Sequence, residues 1–561
     1  MKHSFHIPVM GTSYTIDSPA KVAHLGISSV ISLVDDDLIE RMRKVYSKKM
    51  GIAYEPIKDK EEDSRAKRIT AYLNLINEIV EGRYSKLKKA FQENSQQALN
   101  EFKEFFPDVK SFKNFAKGSI DVNIMTKIDK ENFKGKVKLP SIFNDAHAAL
   151  RGFANSKLNS SIVLSAGMNP RLYAYFEEFK DFFPNEKGEL KKKIIVKVSD
   201  FRSALVQGKF FAKKGLWVSE FRLESGLNCG GHAFATNGLL MGPILEEFKN
   251  KKEELIQELK EIYNKALLRK NYKEQNKVNL AITAQGGIGT AEEHNFLIDH
   301  YQVDSVGWGS PFLLVDEAVT IDEKTKNKLA QATEEDLYLS NASPLGVPFN
   351  NLKSSSKKEE GKILYEENRP GSPCTKKFLI SNKEYTEDLI CTASRKYIDS
   401  KFKNTEEVNE GFVKSTIEKE CLCQGLSKPA FIKYNENEKK DGAGVSVCPG
   451  PNIAYFNEKT SLKKMIAHIY GKENIMHNEN RPNVFIKELS LYVQDIESKY
   501  QTIKEDIVSR PAKRIKEYKE NLLKGIQYYE ELAKNKKNLF FNQKSFEKLN
   551  VFKEKLELLK F

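Results

Sequence analysis

Ala284-Gln-Gly-Gly-Ile-Gly-Thr290 and Val306-Gly-Trp-Gly-Ser-Pro-Phe312 are the two stretches that decide the fold of this chain. Each places glycines directly after a short apolar run that is typical of a β-strand. Glycines at that position let backbone N–H groups approach an anion closely, and a helix that begins there adds the positive end of its dipole. The stretches therefore predict two phosphate-binding loops, with these candidate contacts: Gln285, Gly286, Gly287, Gly309 and Ser310.

These two strands close a longer series of apolar or β-branched runs with helical material between them. The eight predicted strands cover residues 6–10, 27–33, 119–125, 161–166, 194–198, 216–223, 278–284 and 304–308. Most lack strict alternation, as parallel strands covered by helices do. Eight such units predict an α/β fold, a (β/α)8 TIM barrel with its active site at the C-terminal ends of the strands. A doubly wound open sheet is the alternative.

The chain is longer than one core usually allows. At 561 residues it exceeds the roughly 250 to 300 residues at which single cores stop growing. We predict the barrel over residues 1–350, a cysteine-containing segment over 351–460 and a helical C-terminal region over 461–561. Within the barrel, residues 37–117 form a mostly helical insertion after the second strand, including helices at 69–80 and 85–106. A lid and an oligomer contact are alternatives to a helical hairpin packed on the barrel, which we favour.

Two regions after the barrel strands have distinctive patterns. Residues 317–361 are polar, and their Lys/Ser/Glu-rich part at 354–362 predicts a linker or mobile loop. The C-terminal region carries apolar side chains at helical spacing: Ile515, Tyr518, Leu522, Ile526, Tyr529 and Leu532. That stripe predicts a helix packed against the barrel or against a partner subunit.

Charge and hydropathy argue against a nucleic-acid partner and against a membrane partner. The formal net charge is +14, but the lysines are dispersed among Glu and Asp along helical stretches such as 249–270, which is typical of a solvated face. We therefore expect no nucleic-acid partner. No run approaches the roughly 20 apolar residues of a spanning helix, and residues 1–10 lack the apolar core of a signal peptide, so we expect no membrane partner and a cytoplasmic location.

The stretch Gly226-Leu-Asn-Cys-Gly-Gly-His232 follows the sixth predicted strand and places an imidazole at a barrel strand end. A neutral imidazole can remove a proton from an activated carbon or return one, because its ordinary pKa lies near physiological pH. A structural histidine is the alternative, and we favour the catalytic role for His232. Cys229 is a reactive thiol or, more commonly for a lone cysteine, a buried small hydrophobe.

The other five cysteines fall between Cys374 and Cys448. Thiolates at Cys391, Cys421, Cys423 and Cys448 are candidate ligands of a zinc ion or an iron–sulfur cluster. Their spacing matches neither a standard zinc pattern nor a ferredoxin pattern, so the sequence leaves the metal open.

Over about residues 7–348 the chain resembles the nitronate monooxygenases (2-nitropropane dioxygenases) and the related flavin-dependent enoyl-acyl carrier protein reductases. The matching motifs are Ile7-Pro-Val-Met10-Gly11, Val122-Asn123-Ile124-Met125, Gly230-Gly231-His232 and the two glycine-rich loops. The resemblance implies that FMN contacts Met10, Gly11, Asn123, Gly231 and those loops. It also implies that Lys197 offsets charge at the pyrimidine end of the flavin, with a solvated lysine as the alternative.

The resemblance implies an FMN-dependent oxidoreductase that acts on a small molecule. The leading hypothesis is a nitronate monooxygenase-like enzyme that oxidises an activated carbon acid such as an alkyl nitronate with dioxygen, with His232 as acid and base. The alternatives are an NAD(P)H-dependent enoyl-thioester reductase and a non-catalytic flavin-binding scaffold. Asn228-Cys229 stands where the family carries an acidic residue followed by Ala or Ser, so the substrate stays open, as does assembly into a homo-oligomer.

Overall fold

The computed structural model describes residues 2–93, 95–106, 115–165, 167–229, 237–438, 442–477, 481–503, 510–534, 541 and 543–560. Its strands are β1 (Phe5–Ile7), β2 (Ser28–Ser32), β3 (Ile120–Ile124), β4 (Phe133–Lys134), β5 (Val137–Lys138), β6 (Ser160–Leu164), β7 (Lys192–Val198), β8 (Val218–Glu224), β9 (Ala281–Gln285), β10 (Ser305–Gly307), β11 (Leu337–Ser340) and β12 (Phe349–Leu352). Its helices through the barrel are α1 (Ser18–Val22), α2 (Asp36–Met50), α3 (Ser64–Gln92), α4 (Gln96–Phe105), α5 (Asp145–Ala154), α6 (Pro170–Tyr175), α7 (Phe201–Ala212), α8 (Met241–Arg269), α9 (Ala291–Asp299) and α10 (Glu323–Ala330). The later helices are α11 (Ser356–Glu366), α12 (Arg395–Lys403), α13 (Glu410–Ile417), α14 (Leu422–Gly425), α15 (Lys428–Lys433), α16 (Leu462–Ile469), α17 (Val484–Ile503), α18 (Arg510–Lys534) and α19 (Gln543–Glu557).

Eight of the strands form a closed barrel in the order β1-β2-β3-β6-β7-β8-β9-β10, with every neighbouring pair parallel. Each overlaps one of the eight predicted strands, with bounds that differ by up to three residues at either end, so the predicted TIM barrel is confirmed and the open sheet is excluded. The outward faces of the strands share one apolar core with the surrounding helices. The C-terminal ends of β9 and β10 carry the two glycine-rich loops side by side, with Gly307 opposite Gln285.

The barrel interior is largely polar. Only a small apolar cluster of Val30, Val163 and Ile195 separates from the main core there, with Val9 packed against it. Alternation along the strands turns the following charged and polar side chains inward as well: His6, Asp121, Asn123, Ser161, Lys197, Glu220, Arg222, Glu224, Thr283, Gln285 and Ser305. Interiors of this fold are usually filled by branched apolar residues, so the interior of this barrel differs from the usual one in its many charged and polar side chains.

The insertion between β2 and β3 packs on the barrel as helices. The Asp35 carboxylate accepts a hydrogen bond from Leu38 N at 3.1 Å and begins α2, and Gly51 ends that helix in a left-handed conformation. The apolar stripe of α3, which includes Ile69 and Ile76, is fully buried. The predicted helix at 69–80 lies within α3, whereas the one predicted at 85–106 is divided between α3 and α4. The hairpin reading of the insertion agrees with this packing.

The C-terminal helices belong to the same core as the barrel. Tyr518 and Tyr529 of α18 are buried, and their rings lie against Gly238 and Gly242, which flank the start of α8. The predicted apolar stripe therefore packs on the barrel of its own chain. In contrast, the linker predicted at 354–362 is wrong, because the Ser355 side chain accepts from Lys358 N at 3.3 Å and begins helix α11.

No helix in the described part of the chain combines the length and apolarity that a membrane crossing requires.

Candidate active site

The glycine-rich loop after β9 has the backbone that its sequence predicts. Gly286 and Gly287 adopt φ angles of +106° and +84°, which side-chain-bearing residues rarely tolerate. The N–H of Gly289, however, donates to the Glu293 carboxylate at 2.7 Å, and Arg481 binds the same carboxylate at 2.6 Å. Both charged side chains are buried, at 1% and 3% exposure. This chain therefore supplies its own anion to one donor of the predicted phosphate loop.

A second segment of the chain lies over the loop that follows β10. A Cβ atom placed on Gly450 would lie 2.7 Å from Ser310 Oγ and 2.8 Å from the carbonyl oxygen of Asn228. The Asn452 side-chain amide donates to the Ile288 carbonyl oxygen at 2.8 Å. The void left between the loops has a volume of about 10 Å³, enough for about one water molecule. We call Cys448–Asn452 the closing segment.

Two of the predicted flavin contacts, Lys197 and Gln285, point into the barrel near the C-terminal ends of β7 and β9. The Lys197 ammonium lies 3.2 Å from a Glu224 carboxylate oxygen, and the Gln285 amide donates to the other at 2.6 Å. Burial opposes ionisation of Glu224, but Lys197 and the hydrogen bonds of the carboxylate hold its pKa below its ordinary value. Lys197 therefore points into the barrel and not into solvent.

Two buried amide oxygens at this end are left without a partner. Asn123 Oδ1, at the end of β3, makes no hydrogen bond within the described part of the chain, and Gln285 Oε1, at the end of β9, has no partner there at hydrogen-bond distance, although the buried His6 imidazole lies close enough to interact with the Gln285 side chain. Both side chains are buried, at 5% and 2% exposure. Buried acceptors of this kind are costly and usually mark a site that a water molecule or a ligand completes. They fit the polar edge of a flavin ring, whereas the phosphate loops are filled by the chain itself.

The remaining predicted contacts after β1 are brought to the same end of the barrel. A Cβ atom placed on Gly309 would lie 3.9 Å from Met10 Sδ and 3.0 Å from Cys229 Cβ. Met10 is fully buried. Gly11 has a φ angle of +54° and is covered by the Tyr14 ring. Met10 therefore borders the phosphate loops, and Gly11 forms the turn behind it.

Gly231 and His232 lie outside the described residues, but both ends of their loop are described. The Glu488 carboxylate of α17 accepts from Ser225 Oγ and from Met241 N, each at 2.8 Å, and so joins the two ends of the loop. Burial raises the pKa of Glu488 to about 7. Sequence analysis missed this residue, because nothing in the local pattern of α17 links it to a loop about 250 residues earlier.

Three of the six cysteines, Cys229, Cys423 and Cys448, are packed as small side chains between the barrel and the segment after it. The Cys229 thiol donates to the Cys448 carbonyl oxygen at 3.2 Å, and burial raises the pKa of Cys229 well above its ordinary value. Cys448 belongs to an apolar cluster with Phe349 and Leu422, against which Cys423 packs.

No group of three or more His, Cys, Asp or Glu side chains in the described residues, which include all six cysteines, is arranged to hold a metal ion. The structure therefore gives no support to a zinc or iron–sulfur site at Cys391, Cys421, Cys423 and Cys448. The physical reason is that Cys448 is held against the barrel loops, and its thiol is surrounded by apolar side chains.

Comparisons with known proteins add the following. No family model matches the chain, and a search of curated proteins found no match. Among solved structures, the chain is similar to FabK from Thermotoga maritima at 13% identity and a TM-score of 0.38, covering 89% of this chain and 96% of that one.

It is also similar to the enoyl reductase domain of MlnA from the macrolactin biosynthesis cluster of Bacillus amyloliquefaciens, at 13% identity and a TM-score of 0.40, covering 89% of this chain and 97% of that one. A third similar structure is nitroalkane oxidase from Streptomyces ansochromogenes, at 10% identity and a TM-score of 0.36, covering 84% of this chain and 96% of that one. At these identities and TM-scores the similarities carry no argument about function, which rests on the site itself.

Proposed function

We propose that this chain is a flavin-dependent oxidoreductase whose site lies at the C-terminal end of the barrel. The observation that carries the proposal is the pair of unpartnered buried oxygens, Asn123 Oδ1 and Gln285 Oε1, beside the Lys197–Glu224 ion pair. A flavin ring offers an N–H donor and carbonyl acceptors along one edge, and it fits a surface that combines amide oxygens with a positive charge. FMN is the form of flavin that the resemblance of the sequence favours.

The proposed reaction is the oxidation of an activated carbon acid such as an alkyl nitronate, with dioxygen as the final acceptor. When bound, the flavin supplies the electron transfer. A nitronate is the conjugate base of a nitroalkane, so His232, as a neutral base, would take the proton from the carbon of the neutral nitroalkane and form the nitronate that is oxidised, and Lys197 would stabilise negative charge at the polar edge of the ring. Glu488 joins the ends of the loop that carries His232, so it is a positioning residue in this scheme.

A second candidate function is a flavin-binding scaffold without catalysis. The void of about 10 Å³ that the closing segment leaves over the phosphate loops does not distinguish it from the enzyme, because the void limits flavin binding in both. In either case flavin binding requires Gly450 to move away from Ser310. An NAD(P)H-dependent enoyl-thioester reductase would use the same flavin site and differs in the electron donor.

The flavin site is tested by Asn123→Leu. Leucine is close in shape and removes a buried oxygen that has no partner in the described residues, so we expect the protein without flavin to be as stable as the wild type or about 1 kcal/mol more stable. The same change should weaken FMN binding by about tenfold or more, measured by quenching of flavin fluorescence. Asn550→Leu, at an exposed position of α19, is the control and should leave FMN binding unchanged and stability within about 0.5 kcal/mol.

Two assays, with three possible outcomes, separate the candidate functions once FMN is bound. Anaerobic bleaching of the flavin by an alkyl nitronate supports the nitronate oxidation, and bleaching by NADPH followed by reoxidation with an enoyl thioester supports the reductase. Bound FMN that neither compound reduces supports the scaffold. A wild-type chain that does not bind FMN, or an Asn123→Leu chain that binds it with unchanged affinity, contradicts the proposed site.

A further inference from the structure

We propose that the N-terminal mouth of the barrel is a second binding site, for a small molecule that carries carboxylate or phosphate groups. An open cavity of about 1650 Å³ lies there, and it enters the barrel as far as Ile195, Arg222 and Thr283. In this fold the N-terminal face ordinarily serves stability, while ligands bind at the opposite face. The proposal does not depend on the flavin site, because the two sites open at opposite ends of the barrel.

The floor of this cavity is a buried guanidinium. The Glu220 carboxylate lies 2.7 Å from Arg222 Nη2 and accepts from Nε at 2.8 Å, and Thr283 Oγ1 lies 3.3 Å from Nε. Arg222 is 3% exposed, and its Nη1 has no hydrogen-bond partner among the residues that the structure describes. A guanidinium presents its N–H groups as a planar fork that matches carboxylate and phosphate oxygens. The free part of this fork faces the cavity that Arg222 lines.

The lining of the cavity as a whole carries more positive than negative charge. Seven basic side chains line the cavity against five acidic ones, and they are Lys2, Lys191, Lys193, Arg222, Lys252, Lys260 and Lys277. Lys191 and Lys252 have acidic partners, Asp181 and Asp304. Lys193, Lys260 and Lys277 form no ion pair within the described residues. The rim therefore keeps ammonium groups that are free to bind an anion.

Two of the rim lysines also repel each other. Burial lowers the pKa of Lys2, repulsion from Lys193 and Lys117 lowers it further, and Asp121 opposes both effects. An anion bound between Lys2 and Lys193 would relieve that repulsion. Lysines at the rim attract the ligand, and Arg222 at the floor orients one of its oxyanions. This arrangement suits a small ligand with two or more negative groups, such as a diphosphate or a polycarboxylate.

The test is isothermal titration of the full chain with pyrophosphate and, separately, with citrate at low ionic strength. We expect Lys193→Gln to weaken binding about threefold to tenfold, since it removes one exposed charge contact. Arg222→Lys keeps a cation beside Glu220 but removes the fork, and we expect it to weaken binding about tenfold or more. Lys86→Gln, on the exposed face of α3, is the control with the same change of charge.

The two ligands distinguish the chemistry of the natural one, because a preference for pyrophosphate indicates phosphates and a preference for citrate indicates carboxylates. Binding of either ion supports the site when it weakens in both the Lys193 and the Arg222 variants and not in Lys86→Gln, whether or not one ion is preferred. Absence of binding at millimolar ligand overturns the proposal. Binding that the two variants leave unchanged also overturns it, since the ions would then bind elsewhere, including at the glycine-rich loops.

Discussion

Glu488→Gln should change how the stability of this protein depends on pH. Burial raises the pKa of Glu488 to about 7, against an ordinary value of 4.5. Because the pKa is higher in the folded chain, folding binds a proton between these two pH values, and raising the pH through this window favours the unfolded chain. The shift of about 2.5 pKa units corresponds to about 3 kcal/mol, since one unit is worth roughly 1.4 kcal/mol.

Glutamine keeps the shape of the side chain and both contacts. Its oxygen accepts from Met241 N, and its amide donates to Ser225 Oγ in place of the hydrogen bond that the carboxylate accepts there. The variant should therefore match the wild type near pH 4, where the carboxyl is neutral in both states. By pH 8 it should be more stable than the wild type by about 3 kcal/mol, because it avoids burying a charge.

The assay is urea unfolding of the two proteins from pH 4 to pH 8, followed by the fluorescence of Trp217 and Trp308, the two tryptophans of the chain. The difference between the free energies of unfolding of the two proteins cancels the contribution of every titrating group that they share. Glu520→Gln, which changes an exposed carboxylate of α18, is the control and should give a small difference at every pH. A difference between Glu488→Gln and the wild type that stays constant over this range would refute the argument.

Three further predictions concern the closing segment, the Cys374 thiol and the ion pair between Arg481 and Glu293. Asn452→Ala removes both hydrogen bonds of that side chain, about 2 kcal/mol together, and should loosen the closing segment, so fluorescence titration should show FMN affinity about thirtyfold higher; unchanged or weaker affinity would mean that the segment does not compete with flavin. A hydrogen bond from Cys391 lowers the pKa of the half-buried Cys374 to about 7, so iodoacetamide at pH 7.5 should modify Cys374 first, as read by peptide mass spectrometry, and first modification of Cys391 would contradict this. Arg481→Met leaves Glu293 buried and unpaired and should destabilise the chain by about 3–5 kcal/mol in urea, whereas a loss below 1 kcal/mol would mean that the pair adds little.

The barrel could be predicted from the sequence because its information is local. Each strand is a short apolar run between glycines or polar residues, and the two loops after β9 and β10 need glycine at positions such as Gly286, whose φ angle is positive. The alternation that places Ile195 and Lys197 on one face of β7 is also local. The local sequence does not tell whether this face points into the barrel or toward the surrounding helices. The ion pair between Lys197 and Glu224 shows that it points into the barrel.

The closure of the site could not be predicted in this way. Glu293 follows the glycine-rich loop, and a carboxylate in the first turn of a helix is ordinarily a solvated or capping group. Its role depends on Arg481, which lies almost 190 residues later and reaches the loop only when the C-terminal region folds onto the barrel. The cysteines were misjudged for a related reason, since their clustering in sequence suggested ligands while their packing in space made Cys448 part of an apolar cluster.

In the proposed function, flavin binding and the opening of the closing segment form one equilibrium. Three described hydrogen bonds join it to its surroundings: Cys229 to the Cys448 carbonyl, Asn452 to the Ile288 carbonyl, and Arg481 to Asn452. At about 1 kcal/mol each, they favour the closed arrangement by about 3 kcal/mol, which lowers the observed affinity for flavin about a hundredfold. An enzyme must keep its cofactor through each turnover, so catalysis requires contacts in the open form that exceed this difference. In the proposed flavin site Asn123 and Gln285 would supply such contacts, because their buried oxygens have no partner at hydrogen-bond distance among the described residues.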